Sequence, residues 1–431
     1  MSFTPGPTLR MTPTGPLRGA LRAPASKSVT NRLLVLAALA DGASELITPL
    51  DSDDSAAMRA CITALGAEVS GEGVWKVTGT AGVPVSPSVP LNARLSGTTA
   101  RFVTALLALS SRGGVVDGLG PLQRRPIAPL VDALAALGAQ ARSANGGLPV
   151  TVAGGGLDGG VVDVDVSGSS QFASALLMVA PYARGDVVCR VHGRAADDYI
   201  ALTAALMAQW GADVTHDRGR GSWQVGAGAG YHARSVEVEY DASAAAHLYA
   251  MGIASGGAIT VTNVAQHSHQ PDAGLPEVFA RMGCDVIRAG SAVTVAAGRD
   301  LRPIDVSLSA MPDQVTTLAV LAALAPGTSV LRDVGVARLH ETDRLAALAT
   351  ELGKVGVQVA AEPDTLVIHG GTARGPALLH TYDDHRLAMA FAALGARISD
   401  LTIADPGCVA KTYPEFWQDV ARLGAGWREE E

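Results

Sequence analysis

The sequence predicts an α/β protein made of six copies of one unit, grouped as two domains of three units each. Three observations predict it. A strand, a turn and an Ala/Leu-rich helix recur six times along the 431 residues, at a spacing of roughly 70 residues, which marks one supersecondary unit per period. Each copy continues into a second helix with a Leu-Gly-Ala-like ending, and five of the six then form a short alternating hairpin around Gly turns. A chain of 431 residues also exceeds one hydrophobic core and suits two.

The first copy is ALRAPASKSVTNRLLVLAALADGAS from Ala20, and the second is PLNARLSGTTARFVTALLALSSRGG from Pro90. VDVDVSGSSQFASALLMVAPYARGD from Val162 and SVEVEYDASAAAHLYAMGIASGGAI from Ser235 follow. IDVSLSAMPDQVTTLAVLAALAPGT from Ile304 and ALLHTYDDHRLAMAFAALGARISDL from Ala377 complete the series. The second helices end at Gly66, Gly138, Gly211, Gly283, Gly353 and Gly424, each placed as a C-cap. The sixth copy shows no hairpin, and the strand-like segment Thr8 to Arg18 is expected to supply its missing strand. The expected domains are therefore 22–238, and 1–21 together with 239–431.

Composition fits a core of small aliphatic side chains between many turns: 48% of residues are hydrophobic, only 4% are aromatic, and 49 are Gly. No apolar run approaches the length of a membrane span, and Met1 to Gly19 lacks the apolar region of a signal peptide, so a soluble, cytoplasmic protein is expected. Cys61, Cys189, Cys284 and Cys408 form no C-x-x-C pair and no Cys/His metal spacing, which reads as buried free thiols and no metal. A formal charge of −8 argues against a nucleic-acid surface.

Against that acidic background, basic residues gather at helix starts. A helix start presents unpaired N–H groups and the positive end of the macrodipole, so hydroxyls, Lys and Arg added there make an anion site. An isolated copy would read as a Ser-capped surface helix; six copies change that reading. The first helices are expected to begin near Lys27, Thr98, Ser169-Ser170-Gln171, Asp241, Asp313 and His385-Arg386. The second helices are expected near Asp53, Arg125, Asp198, Asp272, Glu341 and Lys411. Three units around a pseudo-threefold axis would bring their helix starts to one end of each domain. Two such ends facing each other would form an active-site cleft ringed by Lys27, Arg32, Arg101, Arg125, Arg344, Arg386 and Lys411. That suits ligands carrying several phosphate and carboxylate groups, with Asp313 and Glu341 as acid/base candidates unless they serve only as helix caps.

The ordered motifs PASKSVTNR, SGTTAR, RRPI, SGSSQF, MPD, HETDR, DDHRLAMAF and DPGCVAKTYPEF resemble those of the 5-enolpyruvylshikimate-3-phosphate synthase family of enolpyruvyl transferases, along nearly the whole chain. The resemblance implies two domains, each of three βαβαββ units. It implies transfer of the enolpyruvyl group of phosphoenolpyruvate to the 5-hydroxyl of shikimate 3-phosphate, by addition and elimination through a tetrahedral intermediate. It places the reaction in the shikimate pathway, toward chorismate and the aromatic amino acids, with no cofactor or metal; a monomer is expected.

By the same resemblance, Ser28 and Arg32 hold the shikimate carboxylate, Ser169 and Ser170 the 3-phosphate, and Gln171 bridges both substrates. Lys27, Gly97, Arg125 and Lys411 surround the phosphoenolpyruvate phosphate, and Arg344 and Arg386 its carboxylate. Asp313 takes the proton of the attacking hydroxyl, and Glu341 with Lys27 handles the proton at the methylene carbon. Tyr199 matches a substrate-site Tyr, while His385 is expected to orient Asp384 and Arg386.

Four positions depart from the family pattern: Ala25 for Gly, Ala196 for Ser, Val336 for Asn and His340 for Lys. Loss of hydrogen bonds at Ala196 and Val336 keeps a related cyclitol phosphate in view as substrate. His340 stands among the shikimate 3-phosphate contacts, as a charged ring or as a neutral hydrogen-bonding one. A UDP-sugar enolpyruvyl transferase is the sibling alternative, but it carries a Cys where this chain reads GPLQRRPI from Gly120. A non-catalytic binder of phosphorylated metabolites would not need both Asp313 and Glu341.

Overall fold

The computed structural model of the protein describes residues 6–193 and 197–430. Helices run over Lys27–Leu39 (α1), Asp53–Ala64 (α2), Gly97–Leu109 (α3), Ala128–Ala136 (α4), Gln171–Val179 (α5) and Asp197–Gln209 (α6). The series continues with Ala242–Ser255 (α7), Leu275–Arg281 (α8), Val315–Leu324 (α9), Arg344–Lys354 (α10), His385–Gly395 (α11) and Phe416–Arg422 (α12). The chain divides into an inserted unit, Ala25–Val238, and a discontinuous unit formed by the described residues of Met1–Pro24 with Glu239–Glu431.

The inserted unit holds α1 to α6 and three four-stranded sheets. Its middle copy shows the pattern plainly. Strand Leu91–Asn92, α3, strand Gly114–Asp117, α4 and the antiparallel pair Ala141–Ala144 and Gly147–Val152 follow one another as βαβαββ. The first two strands pair in parallel because a helix carries the chain back between them. The discontinuous unit repeats this arrangement with α7 to α12 and three further four-stranded sheets.

Two strands do not stay with the copy that the sequence period assigns them. Arg18–Leu21, which precedes α1, pairs in parallel with Ala258–Val261 of the fourth copy. Ser235–Glu237, which precedes α7, pairs in parallel with Ala43–Ile47 of the first. Strand propensity is local, whereas the choice of sheet edge is tertiary, so the repeat pattern alone cannot reveal this exchange.

The sixth copy corrects the expectation that it ends without a further strand. Gly426–Glu430 is a strand, and Thr8–Thr12 lies antiparallel between it and Leu401–Ala404. Leu9 and Met11 turn inward to the core, while the charged GWREE segment conceals its strand character. The Gly after the second helix is left-handed in five copies, at Gly66, Gly138, Gly211, Gly283 and Gly424. In the fifth copy α10 runs through Gly353, and the left-handed position passes to Gly356, φ 82°.

In each copy the first helix is the buried one. Every residue of α7 is buried, as a helix apolar on all faces requires. Helices α7, α9 and α11 pack on one another, and α3 packs on α1 and α5. Cys61, Cys189 and Cys284 are buried and Cys408 half-buried, all as free thiols pushed up by burial to about 11 or 12. Among the described residues no helix is long and apolar enough to cross a membrane.

Candidate active site

In the discontinuous unit, the starts of α9, α10 and α11 carry one ion cluster centred on Arg344. This residue opens α10, whose N-cap Asp343 accepts a hydrogen bond from the amide of Ala346. The Arg344 guanidinium is 1% exposed and donates in three directions. Nε donates to Asp384 Oδ2 at 2.7 Å, NH1 to Asp313 Oδ1 at 2.6 Å, and NH2 to Glu341 Oε2 at 2.7 Å. Asp313 Oδ2 lies 3.0 Å from Arg386 NH2, and Lys411 Nζ lies 3.0 Å from Glu341 Oε1.

Three cations therefore face three carboxylates, and the excess of positive charge expected around Arg344, Arg386 and Lys411 is offset within this unit. Burial favours neutral Asp313, but Arg386, Arg344 and His340 outweigh it and hold the carboxyl well below the usual range. Burial also lowers the pKa of Arg344, and Asp384, Glu341 and Asp313 more than reverse this. For His340 burial prevails over the attraction of Asp313, so its pKa is lowered and the ring is neutral near neutral pH. Its Nδ1 is 3.0 Å from both Asp313 Oδ1 and Arg344 NH1, so the tautomer decides which of them it bonds.

Helix starts here lie a few residues beyond their expected places. Asp313 sits in the 3-10 turn Pro312–Gln314, and α9 begins at Val315. Glu341 follows the 3-10 segment Gly335–Leu339, three residues before α10, and Lys411 closes the 3-10 segment Pro406–Lys411. Asp272 likewise lies in the 3-10 segment Pro271–Gly274, ahead of α8. His385 is buried at the start of α11, and its Nδ1 is 3.8 Å from Asp384 Oδ1, beyond hydrogen-bond reach. Asp384 caps α11 by accepting from the amide of Arg386.

In the inserted unit the basic side chains have different surroundings. Arg32, on α1, is 2% exposed and is cradled by neutral groups. Its Nε donates to Thr203 Oγ1 at 2.7 Å and its NH1 to the Ser28 carbonyl at 3.0 Å. The rings of Phe102 and Tyr199 lie 5.4 and 5.9 Å from the guanidinium carbon. No carboxylate pairs with Arg32 among the described residues, and burial lowers its pKa to about 10. Lys27, by contrast, lies 3.3 Å from the buried Asp54 of α2, a partner that the motif reading did not single out.

Helix α3 begins at Gly97, where a Cβ would stand 2.9 Å from Arg101 NH1 and 3.0 Å from Arg125 NH1. A side chain at this position would push on the tips of these two guanidinium groups, and the backbone angle itself is not a special one. Arg125 is followed by Pro126, which favours extended backbone, and α4 starts only at Ala128. Arg101 is spent on structure: NH1 donates to Gln171 Oε1 at 2.8 Å and NH2 to the Pro126 carbonyl at 3.2 Å. Gln171 opens α5 and donates from Nε2 to Thr98 Oγ1 at 3.2 Å, while its amide bonds Ser169 Oγ. Ser169 and Ser170 are half-buried at that helix start, as are Ala25 ahead of α1 and Val336 ahead of α10. Ala196 lies outside the described residues.

Helix starts able to hold anions, buried guanidinium groups and adjacent carboxylates suit ligands that carry phosphate and carboxylate groups. Residues 11–420 match the sequence pattern of the EPSP synthase (3-phosphoshikimate 1-carboxyvinyltransferase) family. The chain is 39% identical over 420 residues to the 3-phosphoshikimate 1-carboxyvinyltransferase of Syntrophobacter fumaroxidans, covering 95% of this chain and 98% of that one. It is 40% identical over 415 residues to the enzyme of the same name from Thiobacillus denitrificans, covering 94% and 96%. Its fold matches EPSP synthase from Acinetobacter baumannii with a TM-score of 0.82 at 23% identity, covering 98% and 100%. It also matches the enolpyruvyl transferase NikO from Streptomyces tendae with a TM-score of 0.79 at 20% identity, covering 98% and 99%.

The chain belongs to the EPSP synthase family. It is an enzyme of the shikimate pathway that transfers the enolpyruvyl group of phosphoenolpyruvate to shikimate 3-phosphate. The UDP-sugar, cyclitol-phosphate and non-catalytic alternatives are not favoured.

Proposed function

We propose that Lys27, Ser28, Arg32, Ser169, Ser170, Gln171, Tyr199, Asp313 and His340 bind shikimate 3-phosphate, and that Lys27, Gly97, Arg125, Gln171, Arg344, Arg386 and Lys411 bind phosphoenolpyruvate. Arg32 supports the first set most directly. A guanidinium this deeply buried, with no carboxylate beside it among the described residues, is stabilised by an arriving anion, and its planar fork fits the shikimate carboxylate.

The observation that carries the mechanism is the sharing of Arg344 among Asp313, Glu341 and Asp384. With Arg386 and Arg344 upon it, Asp313 is ionised but a weak base. When the phosphoenolpyruvate carboxylate recruits those two guanidinium groups, Asp313 loses part of their field and gains basicity. It then takes the proton of the 5-hydroxyl as that oxygen bonds to C2 of phosphoenolpyruvate. Glu341, with Lys27, delivers a proton to C3, giving the tetrahedral intermediate. Glu341 then takes a C3 proton back as the double bond re-forms and the C2–O bond to phosphate breaks, and Lys411, Arg125 and Lys27 stabilise the departing phosphate.

We also propose a cytoplasmic monomer. Both substrates carry charges that prevent unaided passage across a membrane, and every proposed contact comes from a single chain. The test is phosphate release from phosphoenolpyruvate with shikimate 3-phosphate, another cyclitol phosphate or a UDP-sugar offered separately. Release with shikimate 3-phosphate alone supports this assignment, and release with either other acceptor instead contradicts it.

A further inference from the structure

Beneath Asp313 runs a buried line of polar side chains that the proposed chemistry does not use. Gln314, the next residue in the 3-10 turn, is fully buried and its amide is bonded at both ends. Nε2 donates to Asp272 Oδ1, and Oε1 accepts from Thr317 Oγ1 at 3.0 Å. His247 Nδ1, on α7, is 3.3 Å from the same Thr317 hydroxyl, which lies on α9. Thr316 Oγ1 reaches the Asp313 carbonyl at 3.4 Å.

The direction of this line follows from donor counting. A carboxylate oxygen accepts, so the nitrogen end of the Gln314 amide faces Asp272. The oxygen end then faces Thr317, whose single hydroxyl proton is given to it. Toward His247 the hydroxyl can therefore only accept, so Nδ1 must carry the ring proton. His247 is wholly buried, and burial together with the nearby Arg386 and Arg344 keeps it neutral. A neutral ring has one N–H, and Nε2 is left with a lone pair.

We propose that Asp272, Gln314, Thr317 and His247 form a positioning network that locks the turn Pro312–Gln314 and so fixes the Asp313 carboxylate while its two Arg partners turn to substrate. This rests on the reading of Asp313 as the group that takes the hydroxyl proton. Arg344 and Arg386 hold Asp313 in the resting protein. Once they engage phosphoenolpyruvate, restraint must come from the turn itself, and a displacement of about 1 Å is enough to slow turnover about a hundredfold.

The test compares Thr317→Val, which keeps the volume but removes the hydroxyl, with Thr317→Ser, which restores it. Gln314→Met, which removes both amide bonds, serves as a second probe of the network should Thr317→Val fail to fold. In Thr317→Val, kcat should fall roughly tenfold to a hundredfold with KM for both substrates little changed, and Thr317→Ser should recover most of it. Nitrogen NMR of the imidazoles in the native enzyme should show the His247 proton on Nδ1. Near-native kcat in Thr317→Val or Gln314→Met would overturn the proposal if Asp313→Asn had lost turnover, as would a His247 proton on Nε2. Activity retained in Asp313→Asn would instead overturn the role of Asp313, a separate result.

Discussion

Arg344 NH1 donates to Asp313 Oδ1 at 2.6 Å while the same guanidinium holds Glu341 and Asp384. One cation thus organises the proposed base, the proposed acid and the cap of α11. Arg32, equally buried, has neutral donors and acceptors and two aromatic rings around it instead.

These two residues should answer oppositely to removal of their charge. Arg344→Met leaves the buried Asp384 without its guanidinium partner, while Asp313 keeps Arg386 and Glu341 keeps Lys411, and should destabilise the protein by about 3–5 kcal/mol. Arg32→Met removes a desolvated cation and should leave the melting temperature unchanged or raised, while shikimate 3-phosphate affinity falls about tenfold to a hundredfold, as for loss of a charged hydrogen bond. Calorimetric melting with and without shikimate 3-phosphate checks both. A strongly destabilised Arg32→Met that still binds would contradict the assignment.

Gly97→Ala should raise KM for phosphoenolpyruvate more than for shikimate 3-phosphate. The added Cβ would stand 3.0 Å from Arg125 NH1 and displace that guanidinium. Steady-state kinetics with each substrate varied in turn checks this, and equal effects on both KM values would count against a phosphoenolpyruvate role for Arg125.

The two depressed histidines predict a pH dependence of stability. His247 and His340 are held neutral in the folded enzyme, with pKa values below the ordinary 6.5. Below about pH 6.5 the unfolded chain takes up protons that the folded one refuses, so stability is full above that pH and declines as pH falls, by about 1.4 kcal/mol per pH unit for each such proton. Denaturant unfolding between pH 7.5 and 5 checks the slope, and His340→Gln should reduce it. Above about pH 6.5 the neutral His340 ring carries no charge to lose. His340→Lys should therefore leave the pH profile of shikimate 3-phosphate binding unchanged between about pH 6.5 and 8.

Much of this fold was legible because each copy repeats local signals: an apolar strand, a small-residue helix, and a Gly close after the second helix. The expected boundaries at 21/22 and 238/239 grouped Arg18–Leu21 with copies four to six and Ser235–Glu237 with copies one to three, but which sheet edge each segment joins was not legible. The residues that gather on Arg344 were visible as motif members: Asp313, Glu341 and Asp384. Their mutual neutralisation was hidden, because charge sign can be read from a sequence but pairing distance cannot. Asp54 and Thr203 carry no motif at all and reveal themselves only through contact with Lys27 and Arg32. His340 shows the same limit: its neighbours were nameable, but only its burial decides that the ring is neutral.

In the proposed mechanism Asp313 removes the hydroxyl proton, and turnover of Asp313→Asn measured beside its binding of shikimate 3-phosphate tests that most directly. The amide keeps the shape of the carboxylate but is not basic, so phosphate release should fall by about a hundredfold to ten-thousandfold, with shikimate 3-phosphate still bound. Phosphate release at the native rate by a fully folded Asp313→Asn enzyme would contradict it.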